Sequence, residues 1–99
     1  MSIPARDAGF ACMIEHRTRH VVVSLYGELD LVAAPELRRR VLAFFPLPID
    51  SVTLDMKGLT FIDSSGLHVL TVAKQAAAAH RVELILEGAS ASTRRLLEL

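Results

Sequence analysis

Two short segments of this 99-residue chain carry residue types that could do chemistry. Phe61-Ile62-Asp63-Ser64-Ser65-Gly66-Leu67 sets two hydroxyls beside a carboxylate, where an extended run gives way to a helical one. Gly27-Glu28-Leu29-Asp30-Leu31 sets two acids after another apolar run. A serine at a helix start admits two readings. In one, Asp63 or Ser64 caps the orphan amides with a side-chain oxygen. In the other, the serine is presented to a kinase, and a phosphate there adds roughly −1.5 to −2 charges. The helix end would help to bear that charge, while Asp63 and a neighbouring Asp30 would repel it. Gly66, lacking a side chain, would leave the helix start open to a partner.

Glu28 and Asp30 either decorate a turn or form an acid pair of the kind used in acid–base chemistry, but no nucleophile, metal cluster or phosphate cradle accompanies them. His16, His20, His68 and His80 lack metal-ligand spacing and read as surface residues. Arg38-Arg39-Arg40 reads most simply as a solvated helix face, with a partner-facing patch as the other reading. Cys12 is the single cysteine, so it closes no internal disulfide and reads as core packing. No metal and no cofactor is expected.

The elements that must position these residues follow from periodicity. Phe10 to Glu15 suits an edge strand, and His16 to His20 a polar turn. Val21 to Leu25 is a β-branched run that favours strand, ended by Gly27. Pro35 fits the first turn of a helix in which Leu37, Val41 and Phe44 share a face, and Pro46 and Pro48 stop it. Val52, Leu54 and Met56 alternate with polar neighbours as a strand, Gly58 turns the chain, and Leu59 to Ile62 is a short approach to Asp63. Ser64 to His80 is proline-free, with Leu67, Leu70, Ala73 and Ala77 at helical spacing. Val82, Leu84 and Leu86 form another strand, Gly88 breaks it, and Ser90 caps a last helix carrying Leu96, Leu97 and Leu99. Strands alternating with helices need crossovers, which give an α/β fold. Its sheet should be mixed but mostly parallel, of four to five strands with packed helices. Sites in such sheets gather at the carboxyl ends of the strands, where both acidic segments fall.

Composition removes several classes of function. Hydrophobic residues make up 52% and charged ones 22%, a balance that builds one core instead of a disordered chain. Eleven basic residues offset eleven acidic ones, so there is no positive field for direct nucleic-acid binding. The start, Met1 to Asp7, lacks the apolar core of a signal peptide. No run approaches the roughly 18 apolar residues of a membrane span; the longest candidate, 41–49, holds two prolines. A soluble, cytoplasmic protein is expected.

Gly27-Glu28-Leu29-Asp30 followed by Ala34-Pro35-Glu36-Leu37, then Asp63-Ser64-Ser65-Gly66-Leu67, resembles the anti-sigma factor antagonists of the STAS family. Arg94 to Leu99 also resembles their following helix. The similarity runs from about Phe10 to the end. It implies the STAS fold over residues 1–99 as a single domain, lacking the family's final strand and helix. It further implies a partner switch. The unmodified antagonist binds an anti-sigma factor that is a serine kinase, and so releases a sigma factor. The kinase phosphorylates the first serine of the motif, here Ser64, and a metal-dependent phosphatase of the PP2C type reverses it. Asp30 matches the family acid near the phosphoserine. Glu28, Asp63, Ser65, Gly66 and His68 complete the implied partner surface, with His68 where many relatives have glycine.

Two other readings remain open. One is a STAS interaction module that is not phosphorylated, serving a transporter or a stress-signalling complex. The other is a small serine hydrolase, for which no histidine is indicated beside Ser64.

Overall fold

In the computed structural model, which describes residues 9–97, Val21, Val23 and Leu25 point alternately into one core with Val52 and Leu54. The described residues form β1 (Phe10–Arg17), β2 (His20–Leu29), α1 (Ala34–Leu42), β3 (Ser51–Ile62), α2 (Ser64–His80), β4 (Glu83–Glu87) and α3 (Ala91–Leu97). The four strands lie in sequence order in one sheet. β1 pairs antiparallel with β2, whereas β2–β3 and β3–β4 are parallel. The mixed, mostly parallel sheet expected from the alternation of elements is therefore present. Met1 to Asp7 and Leu99 lie outside the described residues.

Helix boundaries follow local chemistry. Pro35 stands in the first turn of α1, which buries Ala34, Leu37 and Val41. The helix ends at Leu42, the carbonyl that the ring of Pro46 would meet in a continued helix. Phe45, not Phe44, is the fully buried aromatic, because the backbone beyond Leu42 is a series of turns and no longer keeps helical spacing. The last helix is capped as expected: the Thr93 amide donates to Ser90 Oγ at 3.2 Å. Leu97 is buried and Leu96 exposed.

Three turns of the sequence reading need correction. The hairpin between β1 and β2 is tighter than His16–His20, because Arg17 and His20 pair and only Thr18 and Arg19 turn the chain. Gly27 does not end β2, and Gly58 does not turn the chain before Leu59. Both sit inside strands, at irregularities in the β2–β3 register. Two bulges each add one residue to β3, so the ten residues of β2 and the twelve of β3 end level, with Leu29 beside Ile62. Glycine serves a close approach at both places. A Cβ on Gly58 would stand 2.4 Å from the ring of Tyr26. At Gly27 φ is +83°, and a Cβ there would lie 1.9 Å from the carbonyl oxygen of Gly9.

Gly27→Ala should therefore destabilise the domain beyond the roughly 1–2 kcal/mol of left-handed backbone strain alone. A urea titration of both proteins reads this as a lower midpoint at unchanged slope. An unchanged midpoint would mean that the bulge relaxes at no cost.

Candidate functional site

The level ends of β2 and β3 bring the two acidic segments to one edge of the sheet. Asp30 follows Leu29 and Asp63 follows Ile62, and the amide of Asp63 donates to the carbonyl of Leu29 at 3.3 Å. Each aspartate then does the same thing to its own following turn. Asp30 Oδ1 accepts from the amides of Val32 and Ala33 at 3.0 and 3.1 Å. Asp63 Oδ1 accepts from Ser65 and Gly66 at 2.8 and 3.1 Å. Bonds from the second and third residues beyond are the signature of an N-cap. The capping reading is thus correct for Asp63, and the cap is not Ser64. Asp30 is likewise committed to a turn: its carbonyl takes the Ala34 amide at 2.8 Å, starting the helical path into α1.

With the cap assigned to Asp63, Ser64 becomes the first residue of α2 and is exposed, while Ser65 is partly buried. Between the two helices runs an open groove of roughly 390 Å³. One wall is a single stripe of the α1 side at positions 31, 34, 35 and 38; the other is Ser64, Ser65, His68 and Val69 of α2. Ser64, Ser65 and His68 therefore share one surface, with Asp30 and Asp63 at the strand ends beside it. Glu28 is exposed two residues before Asp30, near the end of β2.

Gly66 plays a different part from the one its sequence suggests. It is buried, and a Cβ would stand 2.7 Å from the Leu29 carbonyl oxygen and 2.7 Å from Cγ1 of Ile62. The close approach it permits is between α2 and the strand ends, inside the molecule. A partner cannot touch it directly, so its contribution to the surface is to set the height of α2.

Sequence reasoning missed Leu31 and Val32 and did not single out Arg38 from its two neighbours. Leu31 and Val32 are 71% and 67% exposed, an apolar pair beside Asp30 where a turn would ordinarily be polar. That polarity mismatch is the signal that could have found them. Arg38 lines the groove, separated from its neighbours in function: Arg39 and Arg40 both pair with Glu36. The bond from Arg40, then that from Arg39, holds the Glu36 carboxyl below its usual range. The i, i+3 spacing from Pro35 to Arg38 was legible, but nothing marked its stripe as the one facing α2.

A serine–histidine contact does exist, between Ser51 Oγ and His20 Nδ1, with Thr53 Oγ1 3.4 Å from Nε2 of the same ring. It lies at the amino ends of β2 and β3, far from the groove. Among the described residues no three or more His, Cys, Asp or Glu side chains group as metal ligands. No helix among them is long and apolar enough to cross a membrane.

Asp63→Ala should cost roughly 0.5–2 kcal/mol by exposing the Ser65 and Gly66 amides, with Asp63→Asn close to neutral because Asn caps nearly as well. Thermal or urea unfolding of the two variants checks this. Equal losses for both would assign the effect to charge and not to capping.

The same architecture occurs in proteins of known structure. SpoIIAA, described as an anti-sigma factor antagonist in its unphosphorylated form, superposes with a TM-score of 0.78 at 27% identity, over 89% of this chain and 82% of that one. The phosphorylated form of the Bacillus cell fate determinant SpoIIAA gives 0.76 at 29% identity, over 89% and 81%. An anti-sigma factor antagonist from Mycobacterium paratuberculosis shares the fold, at a TM-score of 0.73 and 24% identity over 97% and 80%. No curated protein sequence matches the chain. The family model of the STAS domain matches residues 11–99, and the chain belongs to the STAS domain family.

Proposed function

We propose that this protein is an anti-sigma factor antagonist that binds an anti-sigma factor serine kinase, releases a sigma factor, and is switched off by phosphorylation of Ser64. One observation carries this reading. Ser64 is freed from capping by Asp63, stands exposed at the first position of α2, and borders a groove flanked by exposed Leu31 and Val32. A hydroxyl in that position is accessible to a kinase, and the surrounding apolar and polar groups suit a protein partner. Support also comes from the likeness to SpoIIAA.

The chemistry belongs to the partner. The Ser64 oxygen takes the γ-phosphoryl group of ATP, ADP leaves, and the serine proton passes to solvent or to a kinase base. A PP2C-type phosphatase hydrolyses the ester and restores the antagonist. The chain itself is then a binding protein of the cytoplasm and not an enzyme. Ser65, with its amide held by Asp63 and its side chain partly buried, is left unmodified.

The switch works by local electrostatics. The backbone matches the unphosphorylated and phosphorylated SpoIIAA structures almost equally well, which supports a change confined to the surface. A partner fitted around a neutral hydroxyl meets a dianion after phosphorylation. A loss of about 3 kcal/mol, within reach of a charge mismatch at an interface, weakens binding roughly a hundredfold.

Incubation with the cognate kinase and ATP, followed by peptide mass spectrometry, should place phosphate on Ser64 and none on Ser64→Ala. Phosphate only on Ser65 would sink the assignment, and no phosphate at all would leave an unswitched STAS binding module. Asp30→Asn should alter partner affinity or phosphorylation rate while the amide spectrum keeps its dispersion. In the phosphorylated form, amide shifts should stay near Asp30 and Ser64; shifts spread through the strands would point to a global switch instead.

A further inference from the structure

A phosphoryl group on Ser64 meets an unusual helix end. Most of the amides that ordinarily receive an anion at an N-terminus are taken: those of Ser65 and Gly66 by Asp63 Oδ1, and that of Leu67 by the Asp63 carbonyl at 3.0 Å, which leaves the amide of Ser64 itself. Asp63 also adds its own negative charge. One amide is little against a dianion, so most of the charge on the ester is left to side chains.

The groove supplies two. Arg38, exposed on α1, faces the same space as Ser64 and makes no ion pair among the described residues, in contrast to Arg39 and Arg40 on Glu36. His68 is one turn along α2 from Ser64, on the same helix face and the same wall. The next cation on α2, Lys74, is engaged with the carbonyl of Leu97. A guanidinium with no partner and an imidazole at i+4 make a two-sided receptor for a phosphomonoester.

We infer that phosphorylated Ser64 is clamped within the groove by Arg38 from α1 and His68 from α2, and not by the α2 amides. This rests on Ser64 being the phosphoacceptor. The consequence deepens the switch: modification adds a dianion and at the same time withdraws Arg38 and His68 from any partner that uses them. His68 contributes to the clamp in its cationic form. The charged groups around it are Arg38 on the α1 wall and the carboxylates of Asp30 and Asp63 at the strand ends. The two acids oppose the clamp.

Phosphoserine installed at position 64 of the full chain by genetic encoding tests this without any kinase. Phosphorus NMR should find the second pKa of the ester below its usual value near ~6. Arg38→Gln should raise that midpoint by about half a unit, the scale of one exposed charge pair. The imidazole signals of His68 should titrate at higher pH with phosphoserine than with serine, a comparison that needs no substitution. His68→Gln should also raise the ester midpoint, because an imidazolium favours the dianion over the monoanion. An ester midpoint indifferent to Arg38→Gln, with His68 titrating alike in both forms, overturns the clamp. If the cognate kinase ignores Ser64 while the encoded ester shows both shifts, the switch falls and the clamp stands.

Discussion

The site depends on how closely α2 approaches the ends of two parallel strands. The Leu29 carbonyl accepts the Asp63 amide, and the same oxygen would lie 2.7 Å from any Cβ at position 66. Only glycine fits there without displacing the helix. Were α2 lifted by a methyl group, Ser64 and His68 would move away from the α1 wall and the groove would open. The bulges in β3 serve the same end. Without their two extra residues, Asp63 would not fall level with Asp30, and the two helix starts would not adjoin. A buried glycine and a pair of strand irregularities thus determine what the exposed surface presents.

The roles of the two aspartates have an electrostatic side. Asp63 caps α2 and Asp30 fastens the turn that leads into α1, and each leaves one oxygen with no hydrogen bond among the described residues. Two anions stand at adjoining helix ends before any phosphate arrives. A helix end commonly stabilises a nearby anion by about 0.3–1 kcal/mol. Here much of that capacity is already used by Asp63, so a third anion finds less of it. The unmodified surface presents hydroxyls, a guanidinium and the apolar pair Leu31 and Val32, and its backbone has little capacity left for a phosphate.

Much of this architecture was legible from residues alone, because periodicity reports burial directly. α2 runs from Ser64 to His80, the bounds that its proline-free helical pattern suggests. Ser90 caps α3 because a hydroxyl at that spacing has few other uses. What failed were the glycines. Gly27 and Gly58 look like strand ends, yet the pressure on them comes from neighbours distant in sequence, the Gly9 carbonyl and the Tyr26 ring. Gly66 looks open to solvent and is buried for the same reason. Local sequence tells that a position needs glycine, and only the tertiary neighbours tell why. Arg38 was hidden differently. Three adjacent arginines are equivalent as composition, and the helix separates them by rotating each roughly 100° from the last, so that one reaches the groove.

A switch of this kind must also respect the scale of folding energies. A domain of this size is held by roughly 5–15 kcal/mol in all. A phosphate interacting with exposed side chains changes that by about a kilocalorie, too little to rearrange a sheet whose central strands bury Val21, Val23, Leu25, Val52 and Leu54. At an interface the same charge acts in drier surroundings, where removing water from a dianion is expensive and few groups remain to compensate it. Under the proposed switch, position converts a small perturbation into a large one: beside the groove the charge would leave the fold intact and make the bound state unfavourable. Placed on the covered side of α2, near Val69 or Ala73, an equal charge would act against the core instead. Under the proposed function, the exposed first turn of α2 separates stability from regulation, because its backbone is secured by Asp63 independently of the serine that follows.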